Sequence, residues 1–165
     1  MSDLLRDLWY FAATSAELKR GQMFRREILG EPVLIGRDGE GKAFAMRDIC
    51  PHRAVPLSAG RIVAENGVQT VECPYHGWRY GTQDGVCKLI PTLLADQPYE
   101  TNRIRVRHFA THEANGIIFV YVSADPRFDG EPPPPPHFDL GDFREPKFVI
   151  HRIFAASMDN AVVGL

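Results

Sequence analysis

The sequence has few cysteines, little net charge and no long apolar run. The 3 cysteines among 165 residues are too few and odd in number for a disulfide framework, so a reducing cytoplasm is the expected location. A net charge of −2 argues against a nucleic-acid-binding domain, which is usually strongly basic. The longest aliphatic and aromatic run, Ile117–Val122, is too short to span a membrane. The N-terminus also lacks the apolar core of a secretory signal.

Long helical periodicity is also missing before residue 125. Short apolar and β-branched runs are separated by turn residues, which is typical of antiparallel sheets. Residues 38–41 and 66–67 have the composition of hairpin turns, and residues 30–32 are expected to break an extended segment. We expect residues 103–108 to form a half-buried strand and Ile117–Val122 a central one. The predicted fold class is therefore mostly β and antiparallel.

Two short loops contain the residue types that bind soft metals. They are Cys50-Pro51-His52-Arg53 and Cys73-Pro74-Tyr75-His76-Gly77-Trp78. Each loop carries one thiol and one imidazole, and 20 residues separate His52 from Cys73. Asn66-Gly67 lies midway between the loops and is a strong hairpin signal. The hairpin should carry the chain out and back, so that the second loop returns beside the first.

The order of the four ligands distinguishes two kinds of metal site. Structural zinc modules usually place two cysteines together and then two histidines. Here each loop supplies one sulfur and one nitrogen, which suits a binuclear cluster with both thiolates on one iron and both imidazoles on the other. The spacing favours this Rieske [2Fe–2S] arrangement, and a structural zinc site is the alternative.

The loop sequences also carry a family resemblance. Cys-Pro-His-Arg followed by Cys-Pro-Tyr-His-Gly-Trp-Arg-Tyr resembles the motif of Rieske non-haem iron aromatic-ring oxygenases, in the N-terminal domain of the α-subunit. The resemblance covers about residues 8–165. It implies that Cys50 and Cys73 bind one iron and that His52 and His76 bind the other. Ala54 departs from the family pattern, because many members have glycine there.

The same loops indicate the subclass. Respiratory Rieske proteins have an extra cysteine in each loop, whereas the matching residues here are Val55 and Tyr75. They also have a serine that hydrogen bonds to a cluster sulfur, and here that position is Trp78. Fewer hydrogen bonds to sulfur stabilise the reduced cluster less. The resemblance therefore implies a low reduction potential, on the order of −150 mV.

The domain organisation follows from composition and from the resemblance. We expect a Rieske-type antiparallel β-sandwich over residues 1–127, with the ligand loops at one end. Residues 128–146 form a Pro-rich linker that contains five consecutive prolines. Residues 147–165 then begin an α+β catalytic domain. The mononuclear Fe(II) of the family, with its two histidines and a carboxylate, is expected only beyond these residues, and Asp159 belongs to the approach to that site.

The resemblance implies an electron-relay function. A reductase or ferredoxin would supply electrons to the cluster, and the cluster would pass them to mononuclear iron for O₂-dependent hydroxylation or demethylation of an aromatic or hydrophobic substrate. The family also implies a homotrimer. Neither a nucleic acid nor a membrane is expected as a partner. The alternative is a stand-alone Rieske ferredoxin that only carries electrons.

Other candidate residues have simpler interpretations. Cys87 is expected to be a small buried residue and not a further ligand. The remaining histidines are expected to be surface or core residues; they are His108, His112, His137 and His151. Arg53 and Arg79 could orient a partner, or could be ordinary surface charges. Trp78 and Tyr80 are expected to shield the cluster by packing.

Overall fold

The structure, a computed structural model, describes residues 5–94 and 99–137 of the chain. In these residues the regular elements are β-strands and short 3-10 turns, with no α-helix. The strands β1 to β11 are Leu8–Thr14, Met23–Ile28, Glu31–Arg37, Ala43–Arg47, Arg61–Glu65, Val68–Glu72, Arg79–Gly81, Cys87–Leu89, His108–Phe109, Thr111–Ala114 and Ile117–Val122. The 3-10 turns are Ser15–Glu17, Leu57–Ala59 and Thr101–Arg103. The mostly β fold class is confirmed.

The strands form three antiparallel sheets. The first has the order β1-β11-β10, the second β2-β3-β4-β9 and the third β5-β6-β7-β8. The prediction of a central position for Ile117–Val122 is confirmed, since β11 lies between β1 and β10. Each hairpin needs only a short turn, because antiparallel neighbours can be joined by two residues.

The second sheet is buried on both faces, and this makes the molecule a layered sandwich. Alternate residues of a strand point to opposite faces. Val33 and Ile35 of β3 accordingly pack into a core shared with the first sheet. Leu34 of β3, with Phe44 of β4, packs into a second core that also holds the cysteines of both ligand loops. The run of buried residues in β3 and β4 is what a strand with two covered faces requires.

One local prediction was right in part and another was wrong. The extended segment from Met23 does end at a turn that includes Gly30, but the turn consists of Leu29 and Gly30, with φ of 52° and 73°, and Pro32 already belongs to β3. Residues 103–108 do not form one strand. That segment bridges to the third sheet at Val86↔Arg105 and then joins the second sheet through β9, so it cannot keep one regular ladder.

The end of the described chain runs back over the first sheet. Residues 132–136 were predicted to be a spacer, and the indole Nε1–H of Trp9 donates to the carbonyl of Pro133 at 3.0 Å. The predicted start of a catalytic domain at residues 147–165 lies outside the described residues. In the parts of the chain that the structure describes, no helix has the length and apolar character needed to cross a membrane.

Candidate metal centre

The two ligand loops have the same backbone design. In loop one, residues 50–55, the amide of Cys50 donates to the carbonyl of Val55 at 2.9 Å, and the amide of Ala54 donates to the carbonyl of Cys50 at 2.8 Å. In loop two, residues 73–78, the equivalent bonds run from Cys73 to Trp78 at 2.8 Å and from Gly77 to Cys73 at 3.1 Å. Ala54 and Gly77 have φ of 56° and 70°. Each loop is therefore a tight turn closed behind its cysteine.

The β5–β6 hairpin brings the loops together, as predicted. Asn66 and Gly67 have φ of 49° and 75°, which a two-residue hairpin turn of this type requires. Its register pairs Arg61 with Glu72, so the chain leaving loop one lies beside the chain entering loop two. Gly60 is required at this crossing, because a Cβ there would overlap the carbonyl oxygen of Glu72. Sequence reasoning missed Gly60, although its position before a strand was visible.

The four candidate ligands form a sulfur pair and a nitrogen pair. Cys50 and Cys73 are 2% and 3% exposed, and both belong to the second core. His52 is half-buried and His76 exposed, and their Nδ1 atoms lie 3.2 Å apart. The sulfurs thus point into the protein, and the imidazoles lie toward solvent.

The imidazole pair has the spacing of two ligands on one metal ion. Two nitrogens on one tetrahedral metal, each bonded at about 2.0–2.1 Å, stand about 3.3 Å apart, close to the observed Nδ1 separation. Across residues 5–94 and 99–137, no three His, Cys, Asp or Glu side chains group closely enough to hold a single metal ion. A structural zinc site would gather all four ligands around one point. A Rieske cluster would instead place one iron at the two sulfurs and the other at the two nitrogens.

The two kinds of candidate ligand differ in how readily they take the form that binds metals. Burial, together with the neighbouring His76 and Arg53, lowers the pKa of His52, so its imidazole favours the neutral form that binds metals. Burial raises the pKa of the Cys73 thiol, and the Cys50 thiol adds to that effect. Metal binding would therefore have to displace the thiol protons.

Aromatic rings hold both imidazoles in place. Trp78 stacks on His52 with ring centroids 4.4 Å apart and an interplanar angle of 8°. Tyr75 stacks on His76 at 3.8 Å and remains 60% exposed. The prediction of packing for Trp78 agrees with this contact. The position of Tyr75, which carries cysteine in respiratory proteins, is thus occupied by a ring against a candidate ligand.

Tyr80 has a second role that the sequence reasoning missed. It packs in the second core as expected, and its hydroxyl also lies 3.3 Å from Sγ of Cys50. Burial raises the pKa of Tyr80, as does the neighbouring Cys50, so the hydroxyl keeps its proton and can donate to a thiolate. Cys87 is buried as expected, and its Sγ lies 3.6 Å from the carbonyl of Leu89.

A buried carboxylate closes loop one at its base. Asp48 is 1% exposed and accepts bonds from the amide and hydroxyl of Ser58 at 2.7 Å and 2.6 Å. These bonds join the chain before Cys50 to the chain after the loop. Each is a charge-assisted bond in a dry site, which makes it stronger than a neutral one.

Loop two is closed by ion pairs instead. Arg79 donates to Glu72 at 2.8 Å and also pairs with Glu65. Arg61 donates to the other oxygen of Glu72 at 2.8 Å. Burial would raise the pKa of Glu72, but the bonds from Arg79 and Arg61 outweigh it and lower that pKa. Arg79 therefore braces the third sheet, whereas Arg53 is exposed beside His52.

The other predicted residues lie away from the loops or outside the described chain. His108 is partly buried, and this burial lowers the pKa of its imidazole. His112 packs against Trp9, and His137 is exposed. His151 and Asp159 lie outside the described residues.

Comparison with known proteins gives a consistent set of relatives. The family described as the Rieske [2Fe-2S] domain matches residues 8–107. The terminal oxygenase component CarAa of carbazole 1,9a-dioxygenase from a Sphingomonas species is 37% identical over 129 residues, which are 78% of this chain and 32% of that protein. Oxidoreductase NdmD of Pseudomonas putida is 32% identical over 132 residues, 80% of this chain and 21% of that protein.

A solved structure extends the likeness to the fold. The reduced complex between oxygenase and ferredoxin in carbazole 1,9a-dioxygenase contains a chain that is 33% identical, with a TM-score of 0.66. The match covers 83% of this chain and 34% of that chain. The present sequence therefore spans about a third or less of the length of these proteins.

Proposed function

The chain belongs to the Rieske [2Fe–2S] domain family, and we propose that it holds its cluster on Cys50, Cys73, His52 and His76. The observation that carries the proposal is the facing pair of Nδ1 atoms, 3.2 Å apart, beside a separate pair of buried cysteines. Cys50 and Cys73 take one iron and His52 and His76 the other, which is the ligand division of a Rieske centre.

The residues around this position have distinct tasks. When bound, the cluster takes up and gives back one electron at a time. The buried cysteines keep the sulfur side away from water, and the hydroxyl of Tyr80, 3.3 Å from Sγ of Cys50, can donate to the thiolate of the bound form. With Nδ1 of each histidine turned inward, Nε2 is free to donate to a partner, and the stacked rings of Trp78 and Tyr75 hold that orientation.

Within a longer protein, the proposed role is electron relay to an oxygenase centre. The relatives include a terminal oxygenase and an oxygenase in complex with ferredoxin, and each is about three times longer than the matched region. The electron donor is accordingly a ferredoxin or a reductase. Mononuclear iron in a following domain would receive the electrons for O₂-dependent attack on an aromatic or other hydrophobic substrate, in a trimeric assembly located in the cytoplasm.

Metal analysis and spectroscopy of the purified chain test the cluster proposal. We expect about two irons and two acid-labile sulfides per chain, together with an EPR signal of low average g value after reduction. A colourless protein with one zinc per chain would refute the proposal. Redox titration tests the subclass, because a clearly positive midpoint would contradict the expected low potential.

A carrier without its own catalysis is the second candidate. It is supported by the similarity to Oxidoreductase NdmD, which is named as an oxidoreductase and not as an oxygenase. The gene sequence after codon 165 distinguishes the two functions. An Asp-x-x-His-x₄-His stretch downstream supports the oxygenase, because it can supply the histidines of a mononuclear iron site. A stop codon supports the carrier.

A further inference from the structure

The outer face of the first sheet is aromatic where an exposed sheet would normally be polar. Paired residues share a face, and alternate residues change face. The register Trp9↔Tyr121 and Phe11↔Phe119, with His112↔Phe119, therefore puts all five rings on one side. The opposite side carries the aliphatic residues of the first core. A solvent-facing antiparallel sheet is usually polar on its outer side, so this face is built to be covered.

The chain after β11 turns back over this aromatic face. Phe128 packs on Tyr121 with ring centroids 5.3 Å apart. Residues 131–135 then form one wall of a groove of about 500 Å³, opposite Trp9, Thr111 and His112. The ring centroids of Trp9 and Tyr121 lie 5.6 Å apart. The indole N–H of Trp9 donates to the carbonyl of Pro133, which is 124 positions later in the sequence.

A run of prolines suits this contact. A polyproline helix has no internal hydrogen bonds, so its carbonyls are free to accept one from a partner. Proline also fixes φ, so ordering such a segment costs less conformational entropy than ordering other residues. Aromatic grooves that bind PxxP peptides combine these two properties, and a Trp N–H donating to a proline carbonyl has the same chemistry.

We propose that Trp9 and His112 form a polyproline-binding face, with Tyr121 packed against Trp9, and that this face holds residues 131–135 of the same chain. The proline segment, residues 132–136, is then held against the first sheet, and we call this contact the clasp. The chain after the segment therefore leaves the domain in a fixed direction. The consequence for electron relay rests on the function proposed above, because a clasped exit would hold the cluster at a set position relative to whatever follows. The clasp itself does not depend on the metal.

Hydrogen exchange at the two tryptophan indoles tests the clasp. In the ¹⁵N-labelled chain, the Trp9 indole signal is identified as the one that is absent from the Trp9→Phe variant, with or without a bound cluster. Replacing residues 132–136 by Gly-Ser-Gly-Ser-Gly should accelerate Trp9 indole exchange about fivefold, the factor for one net hydrogen bond of average strength. Pro126→Ala, outside the segment, is the matched control and should change nothing. An unchanged rate in the Gly-Ser variant would overturn the proposal.

A distance measurement tests the fixed exit direction. His137 is exposed directly after the segment, and a nitroxide on His137→Cys can be measured against the spin of the reduced cluster. The parent chain should give a narrow distance distribution, which Trp9→Phe should broaden because it keeps the ring and removes the donor. A distribution that is equally broad in both chains would contradict the clasp. If the chain bound no cluster, the indole exchange would still decide the clasp, so the two proposals can fail separately.

Discussion

The two ligand loops have the same backbone and different support. In both, the cysteine amide and carbonyl close a tight turn with bonds of 2.8–3.1 Å, and a residue with positive φ ends it. Loop one places its histidine two residues after the cysteine, and loop two places it three residues after. Loop one is closed at the base by a buried carboxylate, whereas loop two is closed by ion pairs between neighbouring strands of the third sheet.

The two loops show how one backbone turn can hold a buried thiol and also an imidazole that lies toward solvent. A shared backbone brings both thiols into the same core, since the cysteine occupies the same place in each turn. The one-residue difference in histidine position lets the two rings approach from different sides, with Nδ1 atoms 3.2 Å apart. If the two loops are equivalent, matching substitutions in them should have equal effects, and unequal effects show where their support differs.

Removing a thiol should have the largest effect, and it should be equal in the two loops. Cys50→Ser and Cys73→Ser should each reduce the iron content from about two per chain to near zero, because the sulfur-bound iron loses half of its protein ligands. The control is Cys87→Ser, which changes a third buried cysteine and should retain about two irons. Iron and sulfide analysis measures this. Iron loss in Cys87→Ser, or retention in either loop variant, would contradict the ligand assignment.

Breaking the base of loop one should be the next largest effect. Asp48→Asn should lower the free energy of unfolding by about 1.5–3 kcal/mol, because bonds to a charged group are lost in a buried site. Arg79→Met at loop two should cost less, about 1 kcal/mol, because Glu72 keeps its ion pair with the exposed Arg61. Urea unfolding of the chain measures both values. Equal costs would show that the two closures do not differ in strength.

A second buried carboxylate, that of Asp38, can distinguish an effect on loop one from an effect on the stability of the whole fold. Asp38 is also 1% exposed and accepts backbone amides in the β3–β4 hairpin, including that of Lys42 at 2.8 Å. Asp38→Asn should destabilise the fold by a similar amount, yet only Asp48→Asn should accelerate cluster loss to a chelator under native conditions. If both variants lost iron at the same rate, Asp48 would act through global stability alone.

The positive-φ residues should give opposite effects of smaller size. Gly77→Ala should cost about 1–2 kcal/mol, because an L-residue is strained there and the new Cβ would lie 3.2 Å from Pro91. Ala54→Gly should increase stability by up to about 1 kcal/mol, because it relieves the same strain at the equivalent place. Thermal or urea unfolding decides this. Destabilisation by Ala54→Gly would mean that loop one has adapted to its alanine.

The smallest effect expected is electronic. Tyr80→Phe removes the hydroxyl that lies 3.3 Å from Sγ of Cys50 and should lower the reduction potential by about 20–60 mV, the equivalent of one hydrogen bond of 0.5–1.5 kcal/mol for a one-electron couple. Redox titration monitored by EPR measures the shift, with unchanged iron content as the control. An unchanged reduction potential would show that Tyr80 contributes only by packing in the core.

Much of the site could be predicted from local sequence. Cys50, His52, Cys73 and His76 stand in short motifs whose order favours a two-iron cluster over zinc. The Asn66-Gly67 turn was also predictable, because few dipeptides accept two positive φ angles. Such signals work since a turn depends on residues that are adjacent in the chain.

The supporting contacts were not predictable in the same way. Ser58 meets Asp48 across ten residues, Tyr80 meets Cys50 across thirty, and Trp9 meets Pro133 across 124. Nothing in the local pattern of either partner marks these pairs. The prediction of one strand at residues 103–108 was wrong for the same reason. The alternation of residue types suggested a single strand, but the backbone of this segment pairs with two different sheets.

The sequence by itself determined the ligand types, their order and the hairpin that brings the loops together. Only the tertiary structure decided that sulfurs and imidazoles separate into an inner and an outer pair. It also decided that Tyr80 reaches a candidate ligand and that the proline segment lies against Trp9. The physical reason is that backbone turns are local, whereas burial and side-chain contacts depend on which sheets pack together.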